Sequence, residues 1–346
     1  AYCQGSAPSC NATVPCMLLR QRYFALLGVH AMIKITSVQA IAAALLACGL
    51  SAAPAVALSN RTWVSGSSIA ADSGACTRAA PCKTFAFAFS VTNAGGEIDV
   101  LDPAGYGPVT IAKAISIVND GVGVATIGAT SGSAITITAG ATDSIHLRGL
   151  TILGLGTGLN GILFNSGGNL AIENCVIRGF TFAGINISPS TSGSFVVSNT
   201  IASNNPGLSE GILVRPIGSA VVTGVLSEVT ANNNFFGIDV NGSLTTGAAL
   251  NVTIVDSETS NNGNAGVFAT AGATAVMVRN SVASNNSSIG LEAGANAILR
   301  VAHSVVAGNT LGVKVFSGGV LFSYGDNDID GNTVDNTVVL THLVMH

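Results

Sequence analysis

A glycine followed by an aliphatic residue returns seven times between residues 161 and 313, at intervals of 22 to 29 residues. The pairs are Gly161-Ile162, Gly184-Ile185, Gly211-Ile212, Gly237-Ile238, Gly266-Val267, Gly290-Leu291 and Gly312-Val313. A second column places a polar residue between apolar ones, at Asn174, Asn199, Ser227, Asp256, Asn280 and His303. A third column carries Asn204-Asn205, Asn232-Asn233, Asn261-Asn262, Asn285-Asn286, Gly308-Asn309 and Gly331-Asn332. Three columns in one phase indicate stacked structural repeats.

Within each repeat, short stretches of alternating apolar and polar residues are separated by glycine or asparagine. Such alternation predicts short, half-buried strands. Glycine and asparagine tolerate the positive φ of a sharp corner. Coils of about 25 residues then stack as parallel strands about 4.8 Å apart, with aligned asparagines bonded along the axis. The repeat is too short for a β-propeller blade of about 40 to 50 residues, so the sequence predicts an all-β parallel solenoid.

The composition excludes several other classes of protein. Charged residues are 9% of the chain, against about 25% in an ordinary soluble domain. Mean hydropathy is +0.56, which is incompatible with disorder, and no long apolar run recurs as in a polytopic membrane protein. After residue 57 the chain has ten Lys/Arg and seventeen Asp/Glu. That net negative charge argues against nucleic acid as a partner.

The first 57 residues have the features of a targeting sequence rather than of a folded domain. A start at Met32, a basic Lys34, an apolar run and a small-residue cleavage signal ending at Ala57 predict a signal peptide over residues 32–57. Residues 1–31 are interpreted as an upstream extension. Leu45-Leu46-Ala47-Cys48 resembles a lipobox, so lipid attachment at Cys48 competes with cleavage after Ala57. We expect a secreted, periplasmic or cell-surface protein whose mature chain has no membrane span.

Residues 58–96 are predicted to form an N-terminal cap ahead of coils at 97–333, and residues 334–346 a C-terminal cap. In an exported protein Cys76 and Cys82, which flank a turn with a proline, form a plausible disulfide. Residues 81–93 have helical character, with Thr84 or Ser90 as the cap. Because a solenoid end exposes unpaired strand edges, we expect this helix to cover it. Cys175, in an apolar strand, is expected to be a buried thiol.

The coils resemble the right-handed parallel β-helix of the pectate-lyase-like superfamily. A more specific likeness lies before them, in Trp63-Val64-Ser65-Gly66, in the segment from Cys76 to Phe85, in Gly95-Gly96-Glu97-Ile98 and in the segment from Leu101 to Gly107. This combination is similar to secreted bacterial β-helix-repeat proteins of undefined function. The resemblance implies a right-handed β-helix of eight or nine coils. It leaves the chemistry open.

The glycine column also predicts one candidate surface. Counting from each glycine, positions +1 and +3 are apolar and should face inward, whereas +2 and +4 should face outward. The outward positions bring together Asp239 and Glu292 as catalytic candidates, and Arg215, Asn241, Phe268 and Lys314 as glycan-binding candidates. Asp239 and Glu292 are two coils apart, about 9 to 10 Å, near the upper limit for inverting glycosidases. The competing interpretation is a set of solvated charges with a Glu292–Lys314 pair.

Asp326, Asp328 and Asp330 match the first half of a calcium loop. The glutamate expected at the twelfth position is Thr337 instead, and Gly331-Asn332 continues the asparagine column. A solvated corner is therefore favoured over a Ca²⁺ site. The sequence suggests no cofactor other than Ca²⁺. His303 is interpreted as a substitute in the corner column rather than as a catalytic base.

For function, two classes remain. The first is a non-catalytic exported protein that presents a rigid face to a polysaccharide, a cell-surface glycan or another macromolecule. The second is a polysaccharide lyase, hydrolase or epimerase that acts along the outward sheet. The catalytic signatures of polygalacturonases and of the lyases are missing from the sequence, which favours the first. A trimeric phage-tail-like spike would need a trimerising segment, and we find none in the sequence.

Overall fold

A computed structural model of the protein describes residues 58–67, 69–247, 249–337 and 340–343. The predicted extension (1–31), the signal peptide (32–57) and the lipobox at Cys48 lie outside the described residues. Within the described ranges, the chain forms no helix that is both long and apolar enough to span a bilayer.

The described residues form thirty short strands and one helix, α1 (Phe85–Val91). The strands are β1 (Ser59–Val64), β2 (Thr92–Val100), β3 (Ala104–Gly105), β4 (Val109–Ile111), β5 (Ile115–Val118), β6 (Ala125–Gly128), β7 (Ser133–Thr138), β8 (Ser144–Arg148), β9 (Leu150–Leu153), β10 (Asn160–Ser166), β11 (Asn169–Glu173), β12 (Val176–Arg178), β13 (Ala183–Ile187), β14 (Gly193–Ser198), β15 (Ile201–Ala202), β16 (Glu210–Val214), β17 (Val222–Ser227), β18 (Phe236–Asn241), β19 (Leu250–Val255), β20 (Ala265–Thr270), β21 (Thr274–Arg279), β22 (Val282–Ser284), β23 (Ile289–Gly294), β24 (Ile298–Ala302), β25 (Val305–Ala307), β26 (Leu311–Val315), β27 (Val320–Ser323), β28 (Asp328–Ile329), β29 (Val334–Asn336) and β30 (Thr341–His342).

The strands stack into three parallel faces of a solenoid. Sheet 1 has twelve strands in the order β1-β2-β5-β8-β11-β14-β17-β19-β21-β24-β27-β30. Sheet 2 has ten strands in the order β29-β26-β23-β20-β18-β16-β13-β10-β7-β4. The third face consists of β15-β12-β9-β6-β3 and β22-β25-β28, which are linked through isolated bridges at Thr230 and Glu258. Each coil visits sheet 1, the third face and sheet 2 in turn, so the predicted parallel β-helix is confirmed.

The glycine column sets the register of sheet 2. Ile162 pairs with Ile185, Ile185 with Ile212, and the column continues to Val313. Side chains at this position are at most 1% exposed and form one continuous core. The reason for glycine differs from our expectation, because these glycines do not have positive φ. A Cβ on Gly211 would lie 2.6 Å from Nδ2 of Asn234, so what excludes a side chain is close packing.

The predicted asparagine ladder runs along the corner between the third face and sheet 2. Its buried members are Asn205, Asn234, Asn262, Asn286 and Asn309, followed by the half-buried Asn332. The Nδ2 of Asn262 donates to Oδ1 of Asn286 at 2.9 Å, and that same Oδ1 accepts from the backbone N–H of Asn262 at 3.0 Å. Each asparagine thus satisfies backbone groups that the corner would leave unpaired.

In the coil that contains β17 and β18, the predicted alignment of the corner residues is wrong by one residue. The ladder uses Asn234, not Asn233, and Asn199 pairs in the corner column with Glu228, not Ser227. Corner positions elsewhere are as predicted, with positive φ at Asn174, Asn199, Asp256, Asn280 and His303.

The N-terminal segment is held by local hydrogen bonds. Thr84 is the N-cap of α1, and its side chain accepts from the N–H of Phe87 at 3.2 Å. Cys76 and Cys82 form a disulfide, and both are buried. The carboxylate of Asp102 accepts from Ser65, Gly66 and Tyr106. Helix α1 packs against β1, β2 and β4; its role in closing the solenoid stays a prediction.

At the opposite end, the segment expected to form the C-terminal cap contributes strands. β29 pairs with β26 in sheet 2, and β30 pairs with β27 in sheet 1. Cys175 is a buried free thiol, as expected, and burial raises its pKa to about 11. Such a thiol is unreactive at neutral pH.

Candidate functional site

The outward face of sheet 2 carries the predicted site residues. In register, Leu213 pairs with Asp239, Asp239 with Phe268, Phe268 with Glu292, and Glu292 with Lys314. Asn241 lies two residues beyond Asp239 in β18, and Arg215 follows directly after β16. Backbone pairing therefore places the six candidates on five adjacent coils, the arrangement that the glycine column predicts. We call this set, with the neighbours described below, the sheet 2 surface.

The two predicted carboxylates of this surface are buried, whereas Arg215 and Lys314 are half-buried, so the competing interpretation of solvated charges does not hold for the carboxylates. Asp239 and Glu292 are each only 5% exposed, and Leu213 is fully buried. Glu292 is paired with Lys314, whose Nζ lies 2.8 Å from its Oε1. The sequence predicts this ion pair but not the burial of both carboxylates. A buried carboxylate is costly unless it is paired.

Asp239 is a buried carboxyl group of this surface whose hydrogen bonding is incomplete. Its Oδ1 is buried and has no hydrogen-bond partner. Burial, reinforced by the negative charges of Glu210 and Glu292, raises the pKa of Asp239 to about 7. Asn241 and Arg215 act in the opposite direction but do not compensate. Asp239 therefore changes charge near neutral pH, as a general acid or base does.

Glu210 is a member of this cluster that the sequence did not reveal. It stands one residue before the glycine, where simple alternation places a side chain inside. Burial raises its pKa, against the opposing effects of its own backbone and Arg215. Oε2 of Glu210 and Nε of Arg215 are also buried without partners. Three unpaired polar atoms, on Glu210, Arg215 and Asp239, thus lie on one patch.

A row of phenylalanines crosses the same patch. Phe236 stacks on Phe268 with ring centroids 5.4 Å apart, and Phe268 stacks on Phe316 at 6.3 Å. Phe235 packs edge-on against Phe236 at 4.9 Å. Gly294 makes room for the last ring, because a Cβ there would lie 2.2 Å from Phe316. The chain is poor in aromatics overall, yet it concentrates them here.

Toward the N-terminal coils the surface continues as a polar ladder. Nδ2 of Asn186 donates to Oδ1 of Asn160 at 3.2 Å, and Nδ2 of Asn160 donates to Ser133 at 3.2 Å. Both amides are 6% exposed. Sheet 2 therefore presents polar hydrogen-bonding groups on one half and carboxylates with aromatic rings on the other.

The three calcium candidates do not converge on one point: two of them form hydrogen bonds within the chain, and the third is exposed to solvent. Asp326 accepts from the backbone N–H of His303 at 3.1 Å and contacts its imidazole. Asp330 bonds to the N–H of Gly331, and Asp328 lies exposed in β28. Among the described residues, no group of three or more His, Cys, Asp or Glu is arranged to hold a metal. That this corner is solvated rather than a Ca²⁺ site stays a prediction, which calorimetry with Ca²⁺ tests.

Comparisons with known proteins bear on the fold. No protein-family model and no curated protein matches the sequence. The crystal structure of pectate lyase Pel9A is similar, with a TM-score of 0.59 at 17% sequence identity, over 78% of this chain and 75% of that chain. Identity at this level establishes architecture only. The chain therefore has a pectate-lyase-like parallel β-helix fold.

Proposed function

We propose that the sheet 2 surface binds an extended polysaccharide and that the protein acts as an exported glycan-binding protein. The observation that carries the proposal is the coincidence of a stacked phenylalanine row with buried, unpaired polar atoms on adjacent coils. Flat aromatic rings stack on the C–H faces of sugars, while a few convergent polar groups fix orientation. The solenoid repeats the coil spacing of about 4.8 Å along its axis, which suits a linear polymer.

The proposal is tested with Phe268→Ala on the surface and Phe322→Ala as the matched control. Phe322 is half-buried in β27 of sheet 1 and lies near Arg300, so it offers the same substitution on a different face. Affinity electrophoresis in soluble polysaccharides and calorimetry with their oligosaccharides measure binding. We expect Phe268→Ala to weaken binding at least tenfold and Phe322→Ala to leave it unchanged. Equal effects, or no polysaccharide bound by the wild type, would overturn the proposal.

A specific observation favours hydrolysis as the second candidate function. Asp239, with a pKa of about 7, retains a proton that it can donate to a glycosidic oxygen as the C–O bond breaks. Glu292, two coils away, would take a proton from the water that attacks the anomeric carbon; two coil spacings are about the upper separation used by inverting enzymes. The products would be two shorter chains, one with a new reducing end.

Turnover is measured by a reducing-end assay on neutral and acidic polysaccharides, with and without Ca²⁺. Activity that Asp239→Asn abolishes while binding persists would establish hydrolysis. A rise in absorbance from unsaturated sugars would instead indicate a lyase. Absence of both products with retained binding supports the non-catalytic function.

A further inference from the structure

Resting on the proposed function, we infer that the sheet 2 surface selects neutral polysaccharides over polymers of uronic acid. Both cations of the surface lie near carboxylates, and one of them is directly paired. Nζ of Lys314 contacts Glu292 at 2.8 Å, and the charge of Arg215 acts on Glu210 and Asp239. Glu292 neutralises Lys314. The two carboxylates Glu210 and Asp239 oppose Arg215, so a ligand carboxylate meets no net positive charge on this patch.

The carboxylates exceed the cations on this patch. Glu210, Asp239 and Glu292 face Arg215 and Lys314, so the patch is negative whenever Asp239 is ionised. A uronate polymer brings one carboxylate with every sugar. Two like charges about 5 Å apart at an effective dielectric near 20 weaken binding by about 300-fold. Low local exposure makes salt screening less effective here than at an open surface.

The unpaired atoms instead match sugar hydroxyls. Oδ1 of Asp239 and Oε2 of Glu210 need donors, and Nε of Arg215 needs an acceptor. A hydroxyl group both donates and accepts, whereas a uronate carboxylate only accepts. Because unpaired buried polar groups are unfavourable, a ligand rich in hydroxyls is stabilised by completing all three. The phenylalanine row likewise favours uncharged ring faces.

The sharpest probe is a pair of polymers with one backbone. Polygalacturonate and its carboxyl-reduced form differ only at the carbon that carries the acid. Neutral xylan, mannan and β-glucan, together with alginate, extend the panel to other backbones, with CaCl₂ included in a parallel series. Affinities are measured in 50 and 500 mM NaCl for the wild type, for Glu210→Gln/Asp239→Asn, and for the control Asp256→Asn/Glu258→Gln. The control removes two exposed carboxylates away from the surface.

We expect the wild type to bind at least one neutral polymer, with a Kd that changes less than twofold between the two salt concentrations, and to bind its uronate counterpart at least tenfold more weakly. Glu210→Gln/Asp239→Asn should gain at least tenfold in uronate affinity, and the control should gain nothing. Tighter wild-type binding of a uronate than of every neutral polymer, with or without Ca²⁺, would overturn the inference and leave glycan binding intact. No binding to any polymer would instead remove the proposed function, and the inference with it.

Discussion

Replacing Asp239 by asparagine should make the protein more stable at neutral pH. Asn has nearly the shape of a protonated Asp but cannot ionise. The pKa of Asp239 is about 7 in the folded protein, against an ordinary value of 3.8. Since the folded state holds the proton more tightly, the stabilising contribution of protonated Asp239 is complete below pH 3.8. It is lost as the pH rises toward 7.

The magnitude follows from these two pKa values. At 1.36 kcal/mol per pKa unit, ionisation of Asp239 lowers the free energy of unfolding by about 4 kcal/mol at pH 8. The gap between wild type and Asp239→Asn should therefore grow from less than about 1 kcal/mol at pH 4 to about 4 kcal/mol at pH 8.

Urea unfolding, followed by circular dichroism of the β-sheet at four pH values, measures this gap. Asp256→Asn is the matched control, because Asp256 is exposed on the corner column where other coils carry asparagine. The control should track the wild type across the range. A gap that is constant between pH 4 and pH 8, or a wild type more stable than Asp239→Asn at pH 8, would refute the reasoning.

Three further perturbations test other parts of the structure. Asn262→Ala removes a fully buried ladder member and should lower the free energy of unfolding by about 2 kcal/mol, measured by urea titration, whereas the exposed Asn251→Ala should change it by less than about 0.5 kcal/mol. Gly294→Ala should displace the ring of Phe316 and weaken polysaccharide binding in affinity electrophoresis, with a thermal midpoint that stays within a few degrees; unchanged binding would show that this ring is dispensable. In Asp102, burial acts to raise the pKa, but hydrogen bonds from Ser65, Gly66, Tyr106 and Ser67 outweigh it and lower the pKa. The stabilising contribution of the Asp102 carboxylate is therefore present above pH 3.8 and lost at lower pH, so Asp102→Asn should be more destabilising at pH 7 than at pH 2 in thermal melts.

The sequence was sufficient for the solenoid because its constraints are local and repeated. Every aliphatic residue that follows a repeat glycine is inside, since the two-residue period of a strand leaves no other choice once the register is set. The one misaligned coil contains Asn232, Asn233 and Asn234 in succession, and the pattern alone does not distinguish which of them enters the ladder. Only neighbouring coils decide it.

The sequence predicts where the candidate site residues lie on the solenoid, but not how deeply they are buried or which other side chains surround them. Alternation identified the Asp239 and Glu292 column, yet Glu210 was missed because the strand alternation breaks at Gly211. The direction of a Cβ at Gly211 is toward the corner ladder, so the residue before it faces outward. Phe236, Phe268 and Phe316, which stack beside this column, come from three different coils. That arrangement is tertiary and has no signature in any single repeat.

A crystal structure of the protein with the neutral oligosaccharide that binds most tightly in the panel would test the central claim most directly. The account predicts a sugar ring stacked on Phe268, with a hydroxyl within hydrogen-bond distance of Asp239 and the chain running across successive coils of sheet 2. A sugar bound instead on sheet 1 beside Phe322, or on the third face, would contradict it.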